Sequence, residues 1–288
     1  MPDPVLETPA AAAARGGFRS ILTYVDGRAG DQARLAAAAE IGRRNDGHVT
    51  VIAIGYDASV GPYAFDGGAG AALLELSARA KAEALRLSEE ANAALLQAGA
   101  LGEAIPVVAG TGEVPSRVAR YARYADLVVT VPGGDGPLSR IDHDFVEAAL
   151  FEGDTAVLFQ PEARPEGDTV LVGWDGSREA MHAVRRALPV LADAGRVEIV
   201  TFGEVVEEET PGEQLALMLS RHGIAVEIAP QPAPHGTVAE ALARRAMEIG
   251  ARLTVIGAYG HSRFREALIG GVTRDLLNEA RIAVLMAH

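Results

Sequence analysis

Ser20–Asp26 reads SILTYVD and Thr169–Asp175 reads TVLVGWD. Each is a short apolar run that ends in Asp-Gly, and each leads into an Ala-rich helical pattern, Gln32–Arg44 after the first and Arg178–Leu191 after the second. Continuous apolar runs of this length, as opposed to alternating ones, mark strands buried on both faces, as in a parallel sheet covered by helices. The recurrence of run, Asp-Gly and helix makes the chain a repeat of two related halves.

The order persists outward from these two stretches. Gly47–Ile52 and Gly195–Val200 each place a Gly before a second apolar run, and Ile105–Gly110 corresponds to Val226–Gln231 as a third strand. Val114–Tyr124 and Val238–Glu248 follow as helices, then the apolar runs Leu127–Val131 and Leu253–Gly257, and last the strands Thr155–Phe159 and Ile282–Met286. Each half therefore reads β-α-β-α-β-α-β-α-β. The expected class is α/β, with two tandem open, mostly parallel five-stranded sheets carrying helices on both faces. The expected organisation is a flexible tail at 1–17, a first domain at 18–160, a Pro/Glu/Gly linker at Pro161–Gly167 and a second domain at 168–288. The halves differ most between their second and third strands. The first has the Gly-rich Gly61–Gly70 and a long helix from Ala71 to about Gln97; the second has Glu204–Gly212 and a shorter helix at Glu213–His222.

Composition narrows the function classes. The 288 residues are 49% hydrophobic and 23% charged, which is ordinary globular usage and excludes a wholly disordered, collagen-like or coiled-coil chain. The net charge of −13 disfavours nucleic acid and anionic lipid as partners, because the overall field repels phosphates. With no cysteine, the chain has no disulfide, no thiolate catalysis and no Cys-ligated metal. Met1-Pro2-Asp3-Pro4 carries acid and proline where a signal peptide needs basic residues, and no apolar stretch approaches the ~18 residues of a membrane span, so the expected location is the cytoplasm. The histidines His182, His222, His235 and His288 show no metal-ligand spacing, and neither a Gly-x-Ser-x-Gly elbow nor a Gly-Lys-Ser/Thr phosphate loop is present.

Ligands of open α/β sheets bind beyond the carboxyl ends of the strands. The segment after the fourth strand of the second half is the informative one. Gly257 and Gly260 close a strand and open a loop, and Gly270 and Gly271 immediately precede a helical pattern at Val272–Ala280. Glycines at such points let backbone N–H groups approach a phosphate, and a helix N-terminus adds orphan N–H groups and the positive end of its dipole. Thr273 offers a hydroxyl and His261 a further donor. Residues 261–274 contain Arg263, Arg265 and Arg274 against Glu266 alone, whereas the corresponding residues 134–147 contain Arg140 against Asp135, Asp142, Asp144 and Glu147. Thr130 and His143 stand where Gly257 and Gly270 stand in the second half, so the first half reads as unable to hold a polyphosphate.

The repeat Phe18–His288, with Asp175 after its strand and Gly257-x-x-Gly260, nine residues, then Gly270, resembles a tandem universal stress protein. That family has an adenine-nucleotide alpha-hydrolase-like fold, and its ATP-binding members carry G-x-x-G, nine residues, then Gly followed by Ser or Thr. Gly271 stands here in place of that Ser or Thr, a departure that removes one hydroxyl and keeps the backbone cradle. The resemblance implies that Asp175 and its neighbours sit at the adenine–ribose end, that backbone near Val200 touches the base, and that Gly257, Gly260, Gly270, Gly271, Val272 and Thr273 wrap the phosphates of ATP or AMP, with Mg²⁺ arriving on the nucleotide. His261 and Arg263 belong to the same loop, although Arg263 and Arg265 also read as snorkelling around Phe264.

Each element of the site has a structural alternative. Asp175-Gly176-Ser177 also reads as a turn and helix cap, Gly270-Gly271 as a tight helix entry, and Trp174 as a packing residue. Asp26, which matches Asp175, reads as a structural remnant. Three functions remain open: a regulatory stress-response module that binds adenine nucleotide, a ligand-free structural stress protein, and a slow ATPase. For the last, only His261 and Glu266 offer a general base. In the family, domains pair through their last strands. Thr155–Phe159 and Ile282–Met286 would then pair within one chain, and a homodimer would use another surface, with the long helix and Gly61–Gly70 as candidates.

Overall fold

Strand β1 (Ser20–Val25) lies between β2 (His48–Tyr56) and β4 (Leu127–Thr130), parallel to both, with Ile21 opposite Val49 on one side and Leu127 on the other. This is the organising relationship of the first half in the computed structural model, which describes residues 17–59, 70–131, 140–161, 167–203, 212–258 and 282–288. The chain leaves β1 for β2 and β3 (Gly102–Ala109) on one flank, then crosses to β4 and β5 (Ala156–Phe159) on the other. The second half repeats the plan. β6 (Thr169–Gly173) is flanked by β7 (Arg196–Phe202) and β8 (Val226–Gln231) on one side, and by β9 (Ala251–Gly257) and β10 (Ala283–Ala287) on the other.

The two five-stranded halves are not separate sheets. They join into one ten-stranded sheet in the order β3-β2-β1-β4-β5-β10-β9-β6-β7-β8. The junction, the one antiparallel pair among the described residues, is β5 with β10, in which Leu158 stands opposite Leu285. Left alone, each of these wholly buried strands would expose a row of unpaired N–H and C=O groups; pairing one with the other removes both edges.

Strand residues alternate between two cores. Ile21, Val49, Val51, Val129, Val172, Ile199, Val255 and Leu285 face one layer, covered by α1 (Asp31–Asn45), α2 (Gly70–Gln97), α5 (Arg178–Ala192) and α6 (Glu213–Arg221). Leu22, Tyr24, Ile52, Val128, Leu171, Val200, Ile256 and Val284 face the other, covered by α3 (Val114–Ala122), α4 (Arg140–Glu147) with the π-turn Ala148–Glu152, and α7 (Val238–Glu248). Both faces of the inner strands β1, β4, β5 and β10 are covered, which is why their runs read as continuous.

Local signals start the helices. Thr237 and Glu240 form a reciprocal capping box at α7, with Glu240 N donating to Thr237 Oγ1 at 3.2 Å and Thr237 N to Glu240 Oε2 at 2.9 Å. Ser177 Oγ accepts from Ala180 N at 3.1 Å and caps α5. α2 runs 28 residues, and its first turns lie exposed before Ala80, Ala84, Leu87, Ala91 and Leu95 bury against the sheet. β3 begins earlier than its apolar residues suggest, because polar Glu103 lies in this edge strand. Among the described residues no helix is long and apolar enough to cross a membrane. The expected tail at 1–17 falls on residues outside the described ones except for Gly17, and so does most of the linker.

Candidate functional site

In each half the strand order reverses between the first strand and the fourth, β1/β4 and β6/β9, and the crevice beyond their carboxyl ends is where an open α/β sheet accepts a ligand. The two crevices differ.

In the second half, Asp175 follows β6 and is exposed. Its Oδ1 accepts from Ser177 N at 2.9 Å, which orients the carboxylate. Gly176 has φ +77° and holds the chain in a conformation that L side chains rarely adopt. Ser177 goes directly into the cap of α5, so the turn-and-cap reading of Asp-Gly-Ser holds alongside any ligand role. Trp174 packs, half-buried, against the core and is the neighbour of Gly212, whose Cβ would stand 3.6 Å from its Cδ1.

Val200 is completely buried in β7, and its carbonyl accepts from Trp174 N at 2.9 Å, extending the sheet ladder. The side chain and that carbonyl are therefore committed within the fold, and β7 continues through Thr201 and Phe202 to Gly203. Gly203 has φ +135°, and no described atom lies within 4 Å of where its Cβ would be. Gly257 ends β9, where a Cβ would overlap the backbone of Glu179 and Ala180 at the start of α5. This glycine is thus demanded by helix–strand packing in its own right. Gly260, His261, Arg263, Gly270, Gly271, Val272 and Thr273 lie outside the described residues, as does Glu266.

In the first half the carboxylate after the first strand is paired within the protein. The Asp26 carboxylate is only 1% exposed; Arg28 Nε lies 3.3 Å from its Oδ2 and Arg34 Nη2 lies 3.4 Å from its Oδ1. Tyr56 Oη donates to Asp26 Oδ2 at 3.1 Å. Arg34, 4% exposed, also pairs with Asp31, donates through Nε to the Tyr24 carbonyl at 3.2 Å, and lies over the Tyr24 ring at 4.0 Å from its centroid. Asp31 in turn accepts from the backbone N–H of Asp26 and Gly27, at 3.2 and 2.8 Å. Burial raises the Asp31 carboxyl above its ordinary pKa, opposed by the Arg34 guanidinium. Burial, then the Asp26 charge, raises the Tyr56 hydroxyl. Gly30 packs against Val131 and the Arg34 guanidinium, and closes the space between α1 and β4. Arg34, Asp31 and Tyr56 carry this arrangement, and none of them stood out in the sequence. The signal was an Arg inside an otherwise Ala-rich helix, three residues after an Asp in its first turn.

A second contrast sits at the end of the second strand of each half. A Cβ on Gly55 would overlap the Ala80 carbonyl of α2, so the long helix lies directly on this strand. Gly203, directly after β7, is the matching position. Among the described residues no group of three His, Asp or Glu side chains is placed to hold a metal ion.

Comparison with known proteins places residues 167–288 within the model of the universal stress protein family. A search of curated proteins finds no match. Among solved structures, a universal stress protein from Archaeoglobus fulgidus DSM 4304 is 17% identical, with 94% of this chain and 97% of that chain covered at a TM-score of 0.63. A universal stress protein family member from Burkholderia pseudomallei is 30% identical over 41% of this chain and 92% of its own, with a TM-score of 0.29. A universal stress protein in complex with cAMP is 24% identical over 42% of this chain and 97% of its own, with a TM-score of 0.32.

Proposed function

Because the chain belongs to the universal stress protein family through residues 167–288, we propose that this second half is a cytoplasmic adenine-nucleotide-binding module that takes ATP or AMP and acts in a regulatory stress response. The observation that carries the reading is the contrast between two equivalent carboxylates. Asp26 is buried among Arg28, Arg34 and Tyr56, whereas Asp175 is exposed at the switch point with Gly176 and Gly203 in open positive-φ conformations beside it.

In this reading Asp175 accepts from ribose hydroxyls, and the backbone after Val200 meets the base. The spacing Gly257-x-x-Gly260, nine residues, Gly270-Gly271 with Val272 and Thr273 supports phosphate contact through main-chain N–H groups, aided by His261 and Arg263. Any Mg²⁺ arrives on the phosphates. Nucleotide occupancy is the signal, and no catalytic residue is part of the proposal.

A ligand-free structural protein is the second reading, favoured by one observation: Gly257 is required by the packing of α5 whether or not a phosphate is present. The test is to denature the purified protein, identify any released nucleotide, and titrate the emptied protein with ATP, AMP and cAMP by calorimetry. One nucleotide per chain is expected. Asp175→Ala should weaken binding by about 10–100-fold, the worth of hydrogen bonds to a charged group, and Gly270→Asp should abolish it. No heat of binding at millimolar nucleotide overturns the proposal, and full affinity in both variants overturns the placement.

A further inference from the structure

The long helix α2 carries an outward face that matches itself. Leu74, Leu85 and Leu96 are 75%, 44% and 81% exposed, although Ala80, Ala84, Leu87, Ala91 and Leu95 of the same helix are buried. Leu74 and Leu96 stand eleven residues on either side of Leu85. At about 100° per residue, eleven residues return to within about 20° of the same direction, so the three leucines form one stripe along a helix about 42 Å long. Ala78, also exposed, lies within the stripe.

The charges of α2 divide into two sets. Glu75 pairs with Arg79, and Arg86 pairs with both Glu83 and Glu90. Lys81 and Glu89 are exposed and form no ion pair among the described residues. They are also the two charged residues that flank the stripe at its midpoint, four residues before and four after Leu85.

From this pattern we infer that α2 is a homodimerisation surface, on which the helix packs antiparallel against α2 of a second copy about a two-fold axis at Leu85. The axis brings Leu85 against its own copy and Leu74 of each chain against Leu96 of the other. It also sets Lys81 of each chain at the same height as Glu89 of the other, twice per dimer. An isologous interface must be self-complementary in this way, and the centring of both the leucines and the opposite charges on one residue meets that condition. A parallel pair would set Lys81 against Lys81 and Glu89 against Glu89. The edges of the joined sheet are not used, so the surface is independent of the β5–β10 junction. A single helix pair is a small contact, below roughly 1,200 Å² in total, which makes the association weak and concentration-dependent.

Sedimentation equilibrium from low-micromolar to millimolar protein tests this. The 30.0 kDa chain should associate reversibly to twice that mass. Leu85→Glu should weaken dimerisation by about a hundredfold, as expected of a residue at the centre of a contact, and Leu96→Glu, at the end of the stripe, by about tenfold, each with unchanged circular dichroism and melting temperature. Lys81→Glu alone or Glu89→Lys alone should weaken it by about tenfold through like-charge opposition. The double variant K81E/E89K should restore it. A wild-type protein that stays at 30.0 kDa throughout overturns the proposal. So does a dimer indifferent to both leucine variants, and a charge-swapped double variant as weak as the single ones overturns the antiparallel register.

Discussion

The hydroxyl of Tyr56, at the end of β2, donates to the carboxylate of Asp26, at the end of β1, across 3.1 Å. Two strand ends that would border a ligand crevice are thereby tied to each other, and Arg28 and Arg34 complete the tie. The equivalent carboxylate in the second half, Asp175, has only its own turn as partner among the contacts described above.

Asp26→Ala should lower stability and leave nucleotide affinity unchanged. The substitution strips a buried guanidinium of one of its two carboxylates. Removing the partner of a buried ion pair costs about 3–5 kcal/mol. Because Asp31 still holds Arg34, the loss should fall at or below the lower end of that range, about 2–3 kcal/mol. Urea unfolding reads the first effect and calorimetry the second; a large loss of affinity would place the nucleotide in the wrong half.

Tyr56→Phe should flatten the alkaline limb of the stability curve. The folded state holds the Tyr56 proton above the ordinary value of 10.0, through burial and then the Asp26 charge. In the unfolded chain the phenol ionises near that ordinary value. As pH rises through it, the unfolded state sheds a proton that the folded state keeps, so wild-type stability falls with pH above about 10. The variant lacks this contribution and should fall less steeply, at a cost near neutral pH of about 1 kcal/mol for one lost hydrogen bond. Parallel slopes from pH 9 to 11 would show that Tyr56 titrates freely.

Gly55→Ala and Gly203→Ala should differ in kind, although the two glycines occupy matching places in β2 and after β7. At Gly55 the new methyl meets the Ala80 carbonyl, so α2 must shift, a cost of about 1–3 kcal/mol or more. At Gly203 no described atom stands in the way and the penalty is conformational, from φ +135°, about 1 kcal/mol. The prediction for Gly55 includes loss of the exchange protection of α2 amides; a thermally neutral Gly55→Ala contradicts the packing argument.

Arg245→Ala should be among the most damaging changes in the second half. Glu198 is fully buried in β7, and its carboxylate accepts from Arg245 Nε at 2.6 Å and Nη2 at 2.9 Å, with Arg196 at 3.2 Å. With only Arg196 left, the buried charge should cost about 2–4 kcal/mol. Replacing both partners, E198M/R245M, should recover most of it, because an apolar pair leaves no uncompensated charge. Denaturant midpoints of the three proteins decide this, and additive losses in the double variant would deny the coupling.

Much of the fold was legible because burial on both faces leaves a plain signature. The edge strand Val226–Gln231 has the bounds its correspondence with Ile105–Gly110 suggested, and α1 and α5 extend their Ala-rich patterns by one or two residues. Glu198 shows the limit of such a reading. It stands inside a run that reads as apolar, and its partner Arg245 lies 47 residues away on another element. Gly257 shows another: its spacing suggested a phosphate loop, and the helix start at Ala180 is what forbids a side chain there.

Amino-acid order alone carries the repeat, the parallel α/β class and the exclusion of thiol and disulfide chemistry, because these follow from local periodicity and composition. It also held the symmetric spacing on α2, a property of one helix. Assembly in three dimensions settles two further features: the two sheets become one through β5 and β10, and Asp26 is held by Arg34, Arg28 and Tyr56. Both depend on which backbone edges and which charged groups meet at distances of about 3 Å, across residues far apart in the chain, and chain order does not encode such meetings.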